Sequence, residues 1–167
     1  IEIPDRDINL PAKQYIVGVI DGGASTDGDL DILDSNFVEQ TFSGSGVFRQ
    51  LSSLPVDYNS DYGWKVKLKD TGERVFNPMA LFGTGNGSNV LMVTSNVTAG
   101  IDPCLPGGKS GLLALDPLTG GLPSVGNIFK NIHVIINGVP TAVSGSGTGI
   151  SINDFIIGEP PILENQG

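Results

Sequence analysis

The sequence predicts an all-β chain, and three observations predict it. The apolar runs are short and bounded by turn residues. Gly, Ser, Thr, Asn, Val and Ile stand where a helical protein would use Glu, Lys, Arg, Ala and Leu. Gly-containing turn signals recur along the whole chain. Together these point to a sandwich, a barrel or propeller blades. The 24 Gly and 11 Pro are not periodic, which excludes a collagen-like chain.

The elements follow in order. Gln14–Ile20 reads as the first strand and ends at the turn Asp21-Gly22-Gly23. A short helical turn is expected around Asp29–Ser35. Phe37–Phe42 and Gly46–Leu51 read as the next two strands. In Gly63–Leu68, apolar and polar residues alternate from Trp64 to Leu68, which predicts a strand buried on one face. Thr71-Gly72 then turns the chain into the strands Arg74–Asn77 and Met79–Phe82. Gly85-Asn86-Gly87 precedes the strand Asn89–Ser95, and the near-continuous apolar run of Ser88–Thr94 predicts burial on both faces. Gly111–Asp116 follows and ends at Thr119-Gly120-Gly121. Ile132–Asn137 closes on the hairpin signal Asn137-Gly138, and Gly149–Ile152 is the last expected strand. Two stretches read as exposed loops. Thr98–Ser110 is stiffened by its prolines, and Ser144–Gly149 has the composition of a flexible linker. Gly158-Glu159-Pro160-Pro161 should be extended.

Charge narrows the function. Nine bases against 18 acids give a net charge of -9. A phosphate backbone and an anionic membrane surface are both disfavoured as partners. No apolar run approaches the length of a membrane span. Residues 1–34 hold eight acids (Glu2, Asp5, Asp7, Asp21, Asp27, Asp29, Asp31, Asp34) against Arg6 and Lys13, a net of -6. The remaining ten acids and seven bases give only -3. Asp27, Asp29, Asp31 and Asp34 alternate in a way that lets carboxylates converge on one hard cation, so calcium is the candidate cofactor there. The other reading is a solvated acidic turn. EF-hand spacing fails, because Ile32 and Val38 occupy the positions that need Gly and Glu.

The remaining chemistry-bearing residues are sparse. His133 is the single histidine and lies in an apolar strand, where a rim position on the surface is expected. Gly107-Gly108-Lys109-Ser110 resembles the end of a phosphate-binding loop, but Pro103 stands where that loop needs Gly. Asn86-Gly-Ser88 and Asn96-Val-Thr98 match the glycosylation pattern. Cys104 is the single cysteine and cannot form an internal disulfide. No catalytic residue is expected. A hydrolase using Asp27 and Asp29 as paired acids is the enzymatic alternative.

From Phe37 to Gly121 the chain resembles the C-terminal region of the PilC/PilY family of type IV pilus tip adhesins and assembly factors. The matching pieces come in order. Phe37-Val-Glu-Gln-Thr opens the block, and Val47-Phe-Arg-Gln-Leu-Ser precedes Pro55-Val-Asp-Tyr. Tyr62-Gly-Trp-Lys-Val-Lys-Leu runs into Gly72-Glu-Arg-Val-Phe-Asn-Pro. The strand Val90–Ser95, Asp102-Pro-Cys, Gly107-Gly and Leu113-Ala-Leu-Asp-Pro-Leu-Thr-Gly-Gly complete the series. The family's calcium loop has no copy here, so the resemblance implies no calcium ligands.

The resemblance implies part of a β-propeller, about four blades' worth of antiparallel strands, with a β-sandwich as the alternative. Residues 1–167 are then a single all-β unit, read as the C-terminal fragment of a larger propeller domain. The chain starts at Ile1 without an initiator Met, which is read as a mature product or an excised piece. The implied function is non-enzymatic: adhesion and pilus assembly at the tip of an extracellular, cell-surface pilus. The implied partners are minor pilins or other pilus subunits, a host or abiotic surface, and the remainder of a larger polypeptide or another chain. Neither nucleic acid nor a membrane span is expected. Trp64 reads as core rather than receptor-binding, and Arg74 as the ion-pair partner of Glu73. The alternative function is a structural or sheath subunit of an extracellular filament, exchanging strands through Ile1–Pro11 or Gly158–Gly167.

Overall fold

A computed structural model describes residues 14–20, 31, 33, 35–44, 46–85, 87–98, 108–136 and 139–153. These are all-β, with twelve strands and no helix among them. The strands are β1 (Tyr15–Val19), β2 (Phe37–Gln40), β3 (Phe42–Ser43), β4 (Phe48–Leu51), β5 (Gly63–Lys67), β6 (Glu73–Arg74), β7 (Ala80–Gly83), β8 (Asn89–Thr98), β9 (Gly108–Leu115), β10 (Phe129–Ile136), β11 (Val139–Gly147) and β12 (Gly149–Asn153). Each of the ten expected strands overlaps one of these. The two not anticipated are β3 and β11.

Three sheets result. In the first, β5 lies between β1 and β2, antiparallel to β1 and parallel to β2. The second is the hairpin β10–β11. The third runs β3-β4-β12-β9-β8-β6, with β7 also on β8. Among the described residues, no four consecutive strands form one meander of the kind a propeller blade contains.

The centre of the large sheet explains the continuous apolar run in β8. Strands β8 and β9 pair over eight positions from Leu91↔Leu115 to Thr98↔Gly108. Val93, Leu113 and Leu115 turn to one core with Ile16, Leu51, Val56, Trp64, Val66 and Leu68. The alternate residues Val90, Met92, Leu112 and Ala114 turn to a second core with Ile150, against which Phe48, Phe82, Phe129 and Ile132 pack. Side chains alternate faces along a strand. Where a core lies on each side, as along Val90–Val93, successive residues are therefore all apolar. Strand β5 shows the expected alternation only in part. Trp64 and Val66 are buried, but so is Lys65 between them; only Lys67 is exposed.

Three expectations need correction. Ser144–Gly149 is not a flexible linker: it ends β11 and starts β12. Its glycines are there for close approach. A Cβ on Gly147 would lie 2.5 Å from the Arg49 carbonyl oxygen, and one on Gly149 would lie 2.6 Å from Leu113. The loop expected over Thr98–Ser110 is also shorter, because Thr98 and Gly108–Ser110 are paired strand. The turn before β6 forms, but that strand is Glu73–Arg74 and not Arg74–Asn77. The helical turn at Asp29–Ser35 falls mostly outside the described residues; Leu33, Ser35 and Asn36 lie in turns. Asn137-Gly138 is outside them too, although its flanking strands pair up to Ile136↔Val139.

Candidate functional site

The main polar feature of the described core is a cluster of buried charge that sequence reading did not anticipate. Arg49 on β4 is fully buried, and Glu73 on β6 nearly so. Arg49 Nη1 donates to Glu73 Oε1 at 2.5 Å. Arg49 Nη2 donates to Asp70 Oδ2 at 2.9 Å and to Ser151 Oγ of β12 at 3.1 Å. Glu73 also accepts from Ser95 Oγ on β8 and, through Oε2, from the Asp70 backbone N–H. Lys109 Nζ of β9 reaches Asp70 Oδ2 at 2.6 Å. The Phe42 ring lies 5.8 Å from the guanidinium, within cation–π range. Five strands, β4, β6, β8, β9 and β12, thus meet on one ion cluster. Only Arg49 Nε is buried without a hydrogen-bond partner among the described residues.

The Arg74 expectation is therefore overturned. The buried partner of Glu73 is Arg49, 24 residues upstream, and not its chain neighbour. Alternation makes this unavoidable, because adjacent strand residues face opposite ways. One sequence signal could have found it. Arg49 lies two positions from Leu51, so it shares a face with a core residue. Gly111 completes the site. A Cβ there would meet Ser95 Oγ at 2.4 Å, with Arg49 Nη1 and Glu73 Oε1 each at 3.1 Å.

For Asp70, burial pushes the carboxyl up. The Lys109 hydrogen bond and the charges of Arg49, Lys109 and Lys69 outweigh that and hold it below its usual value. The cluster's charges are committed to one another, so its chemistry is cross-linking.

A second polar device holds two loops. Gln40 is fully buried at the end of β2. Its amide N–H groups donate to the carbonyls of Leu54 at 2.8 Å and Thr119 at 3.0 Å. Its carbonyl accepts from Ser52 Oγ at 2.7 Å and from the Leu54 N–H at 3.0 Å. Both donors and both acceptor sites of the amide are used. Residues 52–62 are thereby tied to residues 116–122, and the Leu122 N–H donates to the Ser52 carbonyl. Trp64 is core, as expected, and its indole N–H donates to the Pro117 carbonyl at 3.1 Å. Gly120, at φ +69°, lies so close to the indole that a Cβ would meet it at 2.1 Å. A left-handed backbone and that contact together require glycine.

The residues singled out by sequence fall as follows. Asp27, Asp29 and Asp34 lie outside the described residues. Asp31 is exposed, and its Oδ1 accepts from the Leu33 N–H at 2.9 Å. Among the described residues no group of three or more His, Cys, Asp or Glu could hold a metal. His133 is exposed on β10, opposite Ala142. Gly108, Lys109 and Ser110 are strand residues, with Lys109 committed to Asp70. Asn96 is buried and accepts from Ser110 Oγ, so it is not a surface glycosylation site. Asn86 and Cys104 lie outside the described residues. No described helix is long and apolar enough to cross a membrane.

Compared with known proteins, the chain matches no family model, no curated protein and no solved structure.

Proposed function

We propose that this chain is a non-enzymatic, extracellular domain of a type IV pilus-associated protein, acting at the pilus tip in adhesion and assembly. The reading rests on the ordered resemblance of residues 37–121 to the PilC/PilY family. In the structure, two of its pieces meet. Two of the resembling segments, Val47-Phe-Arg-Gln-Leu-Ser and Gly72-Glu-Arg-Val, supply the two ends of the buried Arg49–Glu73 pair. Segments far apart in the chain are thus joined by residues central to each. On this reading the partners are minor pilins or other pilus subunits and a host or abiotic surface, and the chain forms one part of a larger propeller. Calcium at Asp27, Asp29, Asp31 and Asp34 is a separate proposal, which rests on the alternation of those carboxylates and not on the resemblance.

The test is genetic. Deleting the coding segment in the source organism should reduce surface piliation and attachment, and the intact gene should restore both. Undiminished piliation and attachment would sink the reading. Loss of a different surface filament, with pili intact, would favour the filament-subunit alternative.

A further inference from the structure

We infer that the loops 52–62 and 116–122 form a preorganised docking surface for a partner polypeptide segment that carries apolar side chains flanked by lysine or arginine. Three large apolar side chains stand out on these two loops: Leu54 is 47% exposed, Tyr58 48% and Leu118 64%. They belong to one surface. Gln40 bonds the carbonyls of Leu54 and Thr119, and Tyr58 Oη donates to the Leu118 carbonyl at 3.2 Å.

The surface is held rigid from beneath. Trp64 holds the Pro117 carbonyl. Asp116 Oδ1 accepts from the N–H groups of Leu118 and Thr119, and the Asp116 N–H donates to the Gly121 carbonyl. The Asp57 N–H donates to Asp61 Oδ2, and the Asp61 N–H to the Asp57 carbonyl. Exposed apolar side chains on a fixed backbone bind with little further loss of conformational freedom, which is what preorganisation means for affinity. Loops held on a rigid scaffold are also where binding residues concentrate.

Charge selects the occupant. Asp57, Asp61 and Asp116 lie on the same two loops as the three apolar side chains, and neither loop contains a lysine or arginine. The N–H of Asn59, and then its side-chain amide, hold the Asp57 carboxyl below its usual value, so it stays ionised in the physiological range. Loops that carry acids and no bases beside exposed apolar side chains favour lysine or arginine on the partner and repel an acidic one. The inference stands apart from the pilus reading, because it uses only loop geometry and charge.

The test is selection of a random peptide display library on the intact chain. Enriched peptides should combine aromatic or aliphatic residues with Lys or Arg. Their affinity should fall about fivefold or more between about 0.05 and about 0.5 M salt. Leu118→Ser should weaken them about tenfold, as truncation of an interface anchor does. Asp57→Asn with Asp61→Asn should weaken them and flatten the salt dependence. Leu81→Ser, on the exposed side of β7, should leave binding unchanged. Leu118 and Leu81 are both exposed, so the melting temperature of each variant should match the parent and exclude misfolding. The inference is overturned if no peptide is enriched, if acidic or purely apolar peptides are enriched, or if Leu118→Ser binds as well as the parent. Self-association that depends on Leu118 would also overturn it, since a second acidic copy is then the occupant.

Discussion

Replacing Glu73 by Ala isolates what the buried charge cluster contributes. Glu73 accepts from Arg49 Nη1, Ser95 Oγ and the Asp70 N–H. Its removal leaves three donors short of an acceptor, one of them a fully buried guanidinium. Breaking a buried ion pair from one side costs about 3–5 kcal/mol, because the remaining charge is uncompensated. Arg49 keeps Asp70 at 2.9 Å and the Phe42 ring, which argues for the lower half of that range. Even about 3 kcal/mol is a large share of the 5–15 kcal/mol that holds a typical domain together. For a chain of this size each kcal/mol moves the melting temperature by about 2–4 °C, so the expected drop is about 6–12 °C.

The assay is thermal and urea unfolding followed by circular dichroism. A companion variant, Arg49→Met with Glu73→Leu, tests the cause. Replacing both partners of a buried pair by apolar residues is often neutral or stabilising. The double variant should therefore lose less than the sum of Arg49→Met and Glu73→Leu alone. The reasoning fails if Glu73→Ala melts within about 2 °C of the parent. It fails equally if the double variant shows no coupling.

Two further outcomes follow from the same geometry, and a third from the acidic N-terminal segment. Gly111→Ala forces a methyl against Ser95 Oγ, where a Cβ would lie at 2.4 Å, and should cost about 1–3 kcal/mol as an overpacked core does, read by the urea midpoint. Asp70 is held below the usual carboxylate value of 3.8, so its contribution is complete above that value and is lost as pH falls through the lower folded value. Asp70→Asn should accordingly lower stability near neutral pH and narrow its gap to the parent on acidification below about pH 4, followed by unfolding against pH. If calcium binds at Asp27, Asp29, Asp31 and Asp34, free calcium at about 100 times its dissociation constant should raise stability by about 2.7 kcal/mol. An unchanged melting temperature between millimolar calcium and chelator would remove calcium from the account.

The all-β class and ten of the twelve strands were legible because short apolar runs between turn residues are a local signal. The double burial of β8 was legible for the same reason: the unbroken apolar run Val90–Val93 has no polar face to show water. Strand β11 was not. Its Ser-Gly-Ser-Gly composition resembles a linker, and only its neighbours reveal that Gly147 is there because the Arg49 carbonyl approaches too closely for a side chain. The Arg49–Glu73 pair was hidden because it depends on sheet register across 24 residues, whereas a local reading offers Arg74 first. Gln40 was hidden for a related reason: nothing in Phe37-Val-Glu-Gln tells which polar residue turns inward. The loop surface was half visible. Asp116-Pro-Leu-Thr-Gly-Gly reads as a turn, but the partner loop that makes Leu118 part of a patch lies some 60 residues earlier.

The ion cluster and the loop surface share one short strand. Arg49 of β4 holds the cluster, Leu51 enters the core shared with Trp64, and Ser52, the next residue, binds Gln40. Four consecutive positions thus connect a fully buried charge to the support of two loops that carry exposed apolar side chains. The Arg49 backbone is held as well, since its carbonyl accepts from Thr148 Oγ1 at 3.2 Å. A strand fixed at its side chain and its main chain has little freedom to shift, so Ser52 presents its hydroxyl to Gln40 from a constant position. That gives the buried pair a use beyond stability. A hydrophobic replacement could match its contribution to folding, but side chains that slide past one another would not fix the register of β4 as directional hydrogen bonds do. On this argument the cost of burying Arg49, including its unpaired Nε, is offset by a loop surface whose geometry is set before any partner arrives.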